Sequence, residues 1–209
     1  MSMAIFFMYF ADNRIATIAV TGCMLLMLFM NFVQYGKKWI YALWGMLTFV
    51  GCGYIYSIRS GLLEWFCVKM GIDTSHRLDV YPVVAANLPE DYLFGKGLGT
   101  TNEMLPNILE PWLIEWFENP HNDLLKIYVE LGAIGLVLFL LSYLVVFKIA
   151  EKKITQRALS QLFVIFVYFV LLMTTDNVSI YILFLMPMHS ICLALAGEKK
   201  EIKDEYHAK

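Results

Sequence analysis

The stretch NPHNDLLKIYVELGAIGLVLFLLSYLVVFK, residues 119–148, opens with helix-starting polar residues and closes on an apolar run at 129–147. A helix that crosses a bilayer needs about 20 mostly apolar residues, and that run qualifies. Working outward, four more windows of similar character lie at 15–35, 39–56, 158–175 and 180–196. The whole chain agrees with them: its 209 residues are 59% hydrophobic and only 16% charged, with a mean hydropathy of +0.62. Such values exclude an ordinary soluble domain. The expected fold is therefore an all-α membrane protein with about five transmembrane helices. It is read as one polytopic membrane domain over 1–209, containing a long loop at 57–128.

Composition also narrows the partners. A net charge of -2 with scattered basic residues gives no nucleic-acid footprint, so membrane lipids are the expected surroundings. Cys23, Cys52, Cys67 and Cys192 stand singly without CxxC spacing, which points to small buried hydrophobes and not to zinc or a disulfide framework. No residue pattern calls for a metal or another cofactor. The opening MSMAIFFMYF lacks a basic start and is followed by Asp12, Asn13 and Arg14, so it reads as an interfacial segment or the end of a span and not as a secretory signal.

Orientation follows from the lysines. GKKW, KIAEKKITQR and GEKKEIKDEYHAK are the short basic connections, and by the positive-inside rule all three face the cytoplasm. The segment 57–128 and the turn TDNVS then face outward, away from the cytoplasm. Within the outer segment, GLLEWFCVKM and EPWLIEWFE read as short amphipathic helices, with Trp112, Leu113, Trp116 and Phe117 on one face. Two readings of them stay open: interfacial helices with tryptophans at headgroup depth, or a small cap packed on itself.

Candidate chemistry gathers on this outer side. Asn119 and Pro120 read as cap and first residue of a helix, with His121 in its first turn and the helix running unbroken into the span. His121 would then stand roughly 15 Å above Leu131, at headgroup level. There it is either a neutral base near a helix N-terminus or simply a solvated polar residue. Asn122, Lys126 and Glu130 would share a face at i, i+4 and i+8. Arg14, Arg59 and Arg77 lie on the same side, where converging guanidinium forks would make a pyrophosphate clamp; taken singly each reads as solvated or snorkelling. In LFGKGLGT, Gly95, Gly97 and Gly99 around Lys96 permit close backbone approach to a ligand, although no nucleotide-loop pattern is present.

HNDLLKIYVELGAIGLVLFL resembles the histidine segment of the bacterial O-antigen polymerase and O-antigen ligase family, in which HN precedes a leucine-rich turn, E-x-G and a span. HRLDVYPVVAANLPEDYLFGKGLG is similar to the arginine, helix and G-x-G element before that histidine. DNRIATIAV resembles the serine-arginine start of an earlier span, with Asn13 in place of the serine. The resemblance covers 14–150 and corresponds to the C-terminal half of such proteins, whose members carry more spans. It implies a C-type membrane glycosyltransferase that moves a glycan from undecaprenyl pyrophosphate to an acceptor in O-antigen or capsule synthesis, without metal or soluble nucleotide sugar. It implies that Arg77 and Arg14 bind the donor pyrophosphate, that His121 acts at the acceptor, and that Glu130 sits at the family's glutamate position. Arg59, Lys96 and Asn122 complete the expected substrate-binding set. Other polysaccharide-assembly membrane proteins, or a separate N-terminal half, are the implied protein partners. Two other readings stand beside this one: a transporter or flippase component for lipid-linked glycan, for which Asp176 is the one charged candidate near a span, and a noncatalytic fragment of a split polymerase.

Overall fold

The computed structural model describes residues 14–34, 36–87, 93–117 and 119–197, with the side chains of 14–16, 183 and 184 set aside. These residues form helices α1 (Arg14–Phe32), α2 (Lys37–Arg59), α3 (Leu62–Met70), α4 (Arg77–Ala86), α5 (Thr100–Ile108), α6 (Pro111–Ile114), α7 (Asp123–Ala150), α8 (Gln156–Met173) and α9 (Ile182–Gly197). No strand occurs among them. Each apolar window falls on a helix. By length and hydropathy, α2, α7 and α8 are able to cross a membrane, while the apolar runs Thr17–Phe32 in α1 and Leu185–Gly197 in α9 are shorter. This is an integral membrane protein built from helices.

Packing sets α2 antiparallel to α7, as contacts at both ends show. At one end the Tyr41 hydroxyl donates to Glu151 at 2.8 Å; at the other, Arg59 Nη1 donates to the Tyr128 hydroxyl at 2.8 Å. Between them Trp44 is fully buried, and its indole N–H donates to the Leu140 carbonyl at 2.8 Å. In a membrane, where lipid competes with protein for apolar surface, such close packing and interhelical hydrogen bonds hold helices together. Trp44 also meets Phe147 edge-on at 5.2 Å and Phe163 at 6.2 Å, which brings α8 against the same pair. Helix α8 starts at Thr155, whose hydroxyl accepts the Ala158 N–H at 3.2 Å, and α1 lies along its flank. Running back beside α7, α8 delivers Thr174, Thr175 and Asp176 to the end that carries Arg59.

The long segment 57–128 holds α3 to α6. Its two amphipathic stretches behave differently. Helix α3 buries Cys67 and leaves Leu62, Trp65, Phe66, Val68 and Met70 exposed. Around the single turn α6, Leu113 and Phe117 are buried while Trp112 and Trp116 are exposed, so the four residues do not share a face as expected. One turn is too short to sustain the helical stripe; the chain leaves helix at 114, and Phe117 turns inward to meet His121.

Helix α7 departs most from the sequence reading. It does not run unbroken: Gly132 has φ 74 and ψ -174, which divides it into an arm at 123–131 and a span at 133–150. Non-glycine residues are sterically opposed to that conformation. The segment 93–97 fills the break, and the glycine cluster is accordingly used against the chain's own backbone: a Cβ on Gly95 would overlap the Glu130 carbonyl group.

Candidate functional site

Two asparagines compete to start α7, and Asn122 is the cap. Its side-chain oxygen accepts the Leu125 N–H at 2.9 Å, which satisfies a donor the first turn otherwise leaves free. His121 therefore precedes the helix instead of lying in its first turn. The choice is made by tertiary contacts: Asn122 Nδ2 donates to the Tyr54 hydroxyl of α2 at 2.9 Å, and that hydroxyl donates to the Thr174 carbonyl at 2.6 Å. Asn119 joins no such network among the described residues, and His121, two residues on, adopts a left-handed φ of 47. A left-handed non-glycine residue costs on the order of 1–3 kcal/mol. The Tyr81 hydroxyl supports it by donating to the His121 carbonyl at 3.0 Å; burial pushes that phenol well above its usual range, so it stays a neutral donor.

The left-handed turn swings the imidazole off the helix toward the α8–α9 turn. His121 Nδ1 lies 3.3 Å from Asp176 Oδ1, and the ring meets Phe117 edge-on at 5.3 Å. Burial works to raise the Asp176 pKa, but the His121 hydrogen bond, the Asn177 N–H and the His121 charge outweigh it and hold the carboxyl below its ordinary value. Asp176 is thus an ionised acceptor. A carboxylate can only accept, so Nδ1 carries the proton and Nε2 is left as the basic nitrogen. The turn is secured from the arm as well: Asp123 takes the Ser179 N–H at 2.8 Å and its hydroxyl at 2.9 Å, and the Asp123 N–H donates to the Asp176 carbonyl at 3.3 Å.

Arg77, the first residue of α4, meets the same turn from the other side. Its Nε donates to the Thr175 carbonyl at 3.1 Å, next in sequence to the carboxylate that holds His121, while Nη1 donates to Thr74 at 3.3 Å. Arg77 and His121 are thereby brought together on residues 175 and 176. Arg59 reaches the arm farther along, at Tyr128. Beside that contact a cavity of about 440 Å³ opens between α2 and α7, lined by Cys52, Ile55, Tyr56 and Arg59 on one side and by Tyr128, Ala133, Leu136 and Val137 on the other. Apart from the Arg59 end its walls are largely apolar.

The remaining candidates are placed elsewhere. Asn122 is fully buried with both ends of its amide engaged, so it positions its neighbour. Lys96 is exposed and its amine lies 3.5 Å from the Met104 sulfur, while its N–H donates to the Val129 carbonyl at 2.9 Å. Glu130 is buried, and its Oε1 has no hydrogen-bond partner. Asn122, Lys126 and Glu130 make no common polar face, since two of the three are buried and Lys126 turns to Asn102 at 3.2 Å. The side chain of Arg14, at the start of α1, lies outside the described residues.

A family model described as O-antigen ligase matches residues 1–140. The chain belongs to the O-antigen ligase family. Neither the curated proteins nor the solved structures compared with it give a match. Membership of the O-antigen ligase family, with an all-helical membrane fold, gives the chain a membrane function of the O-antigen ligase or polymerase type and, with it, dealings with lipid-linked glycan and membrane lipid. The matched span takes in Arg59, Arg77, Lys96, His121 and Glu130 but stops short of Asp176. Sequence reasoning gave Asp176 no part in the histidine site; its only signal was a carboxylate isolated between two apolar windows. Tyr54 and Tyr81 were also missed, because hydroxyls on apolar helices carry no mark of the partners they find.

Proposed function

We propose that the chain transfers a glycan from an undecaprenyl pyrophosphate carrier to a hydroxyl of an acceptor glycan, as polymerase or ligase, on the outer face of the bacterial cytoplasmic membrane. One observation carries this reading: His121 is held by the ionised Asp176 while Arg77 grips the adjacent Thr175, so a base and a fixed cation share one turn. In the reaction, Nε2 of His121 takes the proton of the acceptor hydroxyl as its oxygen attacks the anomeric carbon. The bond from that carbon to the pyrophosphate breaks, and the departing charge is met by Arg77, with Arg59 and Arg14 as the further cations. A positioned base contributes typically 100- to 10,000-fold, and fixed charges at the developing anion contribute a similar amount. The cavity between α2 and α7, apolar except at Arg59, suits part of the carrier's hydrocarbon chain with its charged head at that end.

The test is complementation of a strain that depends on this gene for surface polysaccharide. At equal protein level in the membrane, His121→Ala and Arg77→Ala should each abolish or strongly shorten the glycan seen on gels. Glycan of unchanged amount and length in either variant would sink the assignment.

A further inference from the structure

The break at Gly132 has a particular hydrogen-bond economy. In a continuous helix the Val129 and Glu130 carbonyls would take the N–H groups of Ala133 and Ile134. Here the Val129 carbonyl takes the Lys96 N–H at 2.9 Å and the Glu130 carbonyl takes the Gly97 N–H at 3.0 Å, while Ile134 N–H donates to the Leu93 carbonyl at 3.2 Å. Residues 93–97 thus supply the backbone partners that the break removes. Both contact glycines are required by space as well: a Cβ on Gly95 would run into the carbonyl of Glu130 and the nitrogen of Leu131, and one on Gly132 into the backbone of Leu93 and Phe94. Neither obstacle is a flexible side chain, so neither can move aside cheaply.

What the break separates is informative. The membrane part of α7 is tied to α2 and α8 through Trp44 and Phe147. The arm carries Tyr128 and is capped by Asn122, and His121 precedes that cap, where Tyr81 and Asp176 also hold it. With the helix interrupted, the span no longer dictates the arm's height or rotation.

We infer that residues 93–97, interlocked with the break at Gly132, form a backbone clasp that positions the arm and through it His121, which makes Gly95 a positioning residue for the transfer reaction. The inference rests on the proposed role of His121. The clasp accounts for the glycine at 95, and a second tie joins the arm to α5 at Lys126 and Asn102.

The experiment combines a substitution with a lock. In membranes containing the full chain, Gly95→Ala should lower the maximal transfer rate at least tenfold while leaving the KM for the lipid-linked donor within about twofold. Gly53→Ala, where a Cβ meets nothing within 4 Å, should behave as the parent. Cysteines placed as Asn102→Cys and Lys126→Cys and joined by a short bifunctional thiol reagent then tie the arm to α5. In the Gly95→Ala background this lock should restore a good part of the rate; no recovery overturns the proposal, as does a Gly95→Ala protein that transfers normally. Should Gly95→Ala fail to accumulate, the lock in the parent chain decides: a clasp that already fixes the arm leaves transfer unchanged, and loss of transfer on locking contradicts it. If His121→Ala retains transfer, the chemical reading fails, whereas the cross-linking yield with and without Gly95→Ala still reports on the clasp by itself.

Discussion

Replacing Asp176 by asparagine keeps the size and shape of the side chain while removing the charge that faces His121. In the transition state of the proposed transfer the imidazole would gain a proton from the acceptor hydroxyl, and the carboxylate beside Nδ1 would stabilise the resulting imidazolium. A hydrogen bond to a charged group contributes about 1.5–3 kcal/mol when well made. This one is 3.3 Å long and the Asp176 side chain is 40% exposed, so solvent screening reduces its value. About 1 kcal/mol then remains, equivalent to a roughly fivefold slower transfer. The assay is the initial rate of glycan transfer in membrane vesicles supplied with a polyprenyl pyrophosphate-linked donor, at matched protein level. Asp176→Asn should lower the maximal rate by that modest factor and leave the KM for the donor alone, while His121→Ala lowers it by two orders of magnitude or more. A rate equal to the parent's would show that the carboxylate does not support the base. A loss as deep as that of His121→Ala would show that Asp176 does more than support the imidazolium, by fixing the Nδ1 tautomer or by handling the proton itself, and a purely electrostatic role would be wrong.

Three further outcomes are expected. Because the Asp176 pKa is held below its ordinary value in the folded chain, its contribution to stability is complete above about pH 4 and is lost only as pH falls through the lowered value; detergent unfolding curves of the parent and Asp176→Asn should therefore converge on acidification below pH 4, and curves that stay parallel would contradict this. Trp44→Phe removes the buried bond to the Leu140 carbonyl and leaves unfilled space, and should destabilise the protein by about 1–3 kcal/mol in the same assay, with an unchanged unfolding midpoint as the contrary result. Tyr81→Phe takes away the donor that supports the left-handed turn at His121, a bond of about 0.5–1.5 kcal/mol, and should slow transfer roughly 2- to 12-fold; parental activity would mean the turn stands without it.

The helices were legible in the sequence for a simple reason. Twenty-residue apolar windows admit one solution in lipid, where each backbone group must bond within its own segment. Local signals failed where distant parts of the chain made the choice. Asn119 and Asn122 have the same capping chemistry, and Tyr54, on α2, decides between them. Gly132 looks like any glycine in an apolar run, because what makes it a break is the backbone of 93–97. The candidate site was legible in part for the same reason. Arg77 and His121 stood out by residue type and do meet on one turn, whereas Asp176 shows its value only once the imidazole lies beside it. Arg59 was singled out as a cation on the outer side, and the cavity it borders appears only when α2 and α7 are packed.

In the proposed reaction glycan leaves a lipid pyrophosphate with His121 as the base. Its most direct measurement is the joint release of undecaprenyl pyrophosphate and formation of glycan product in vesicles from cells carrying either the parent chain or His121→Ala. The two products should form in equal amounts with the parent and neither with His121→Ala; equal release from both, or glycan formed without release of the carrier, would contradict a transfer with His121 as the base.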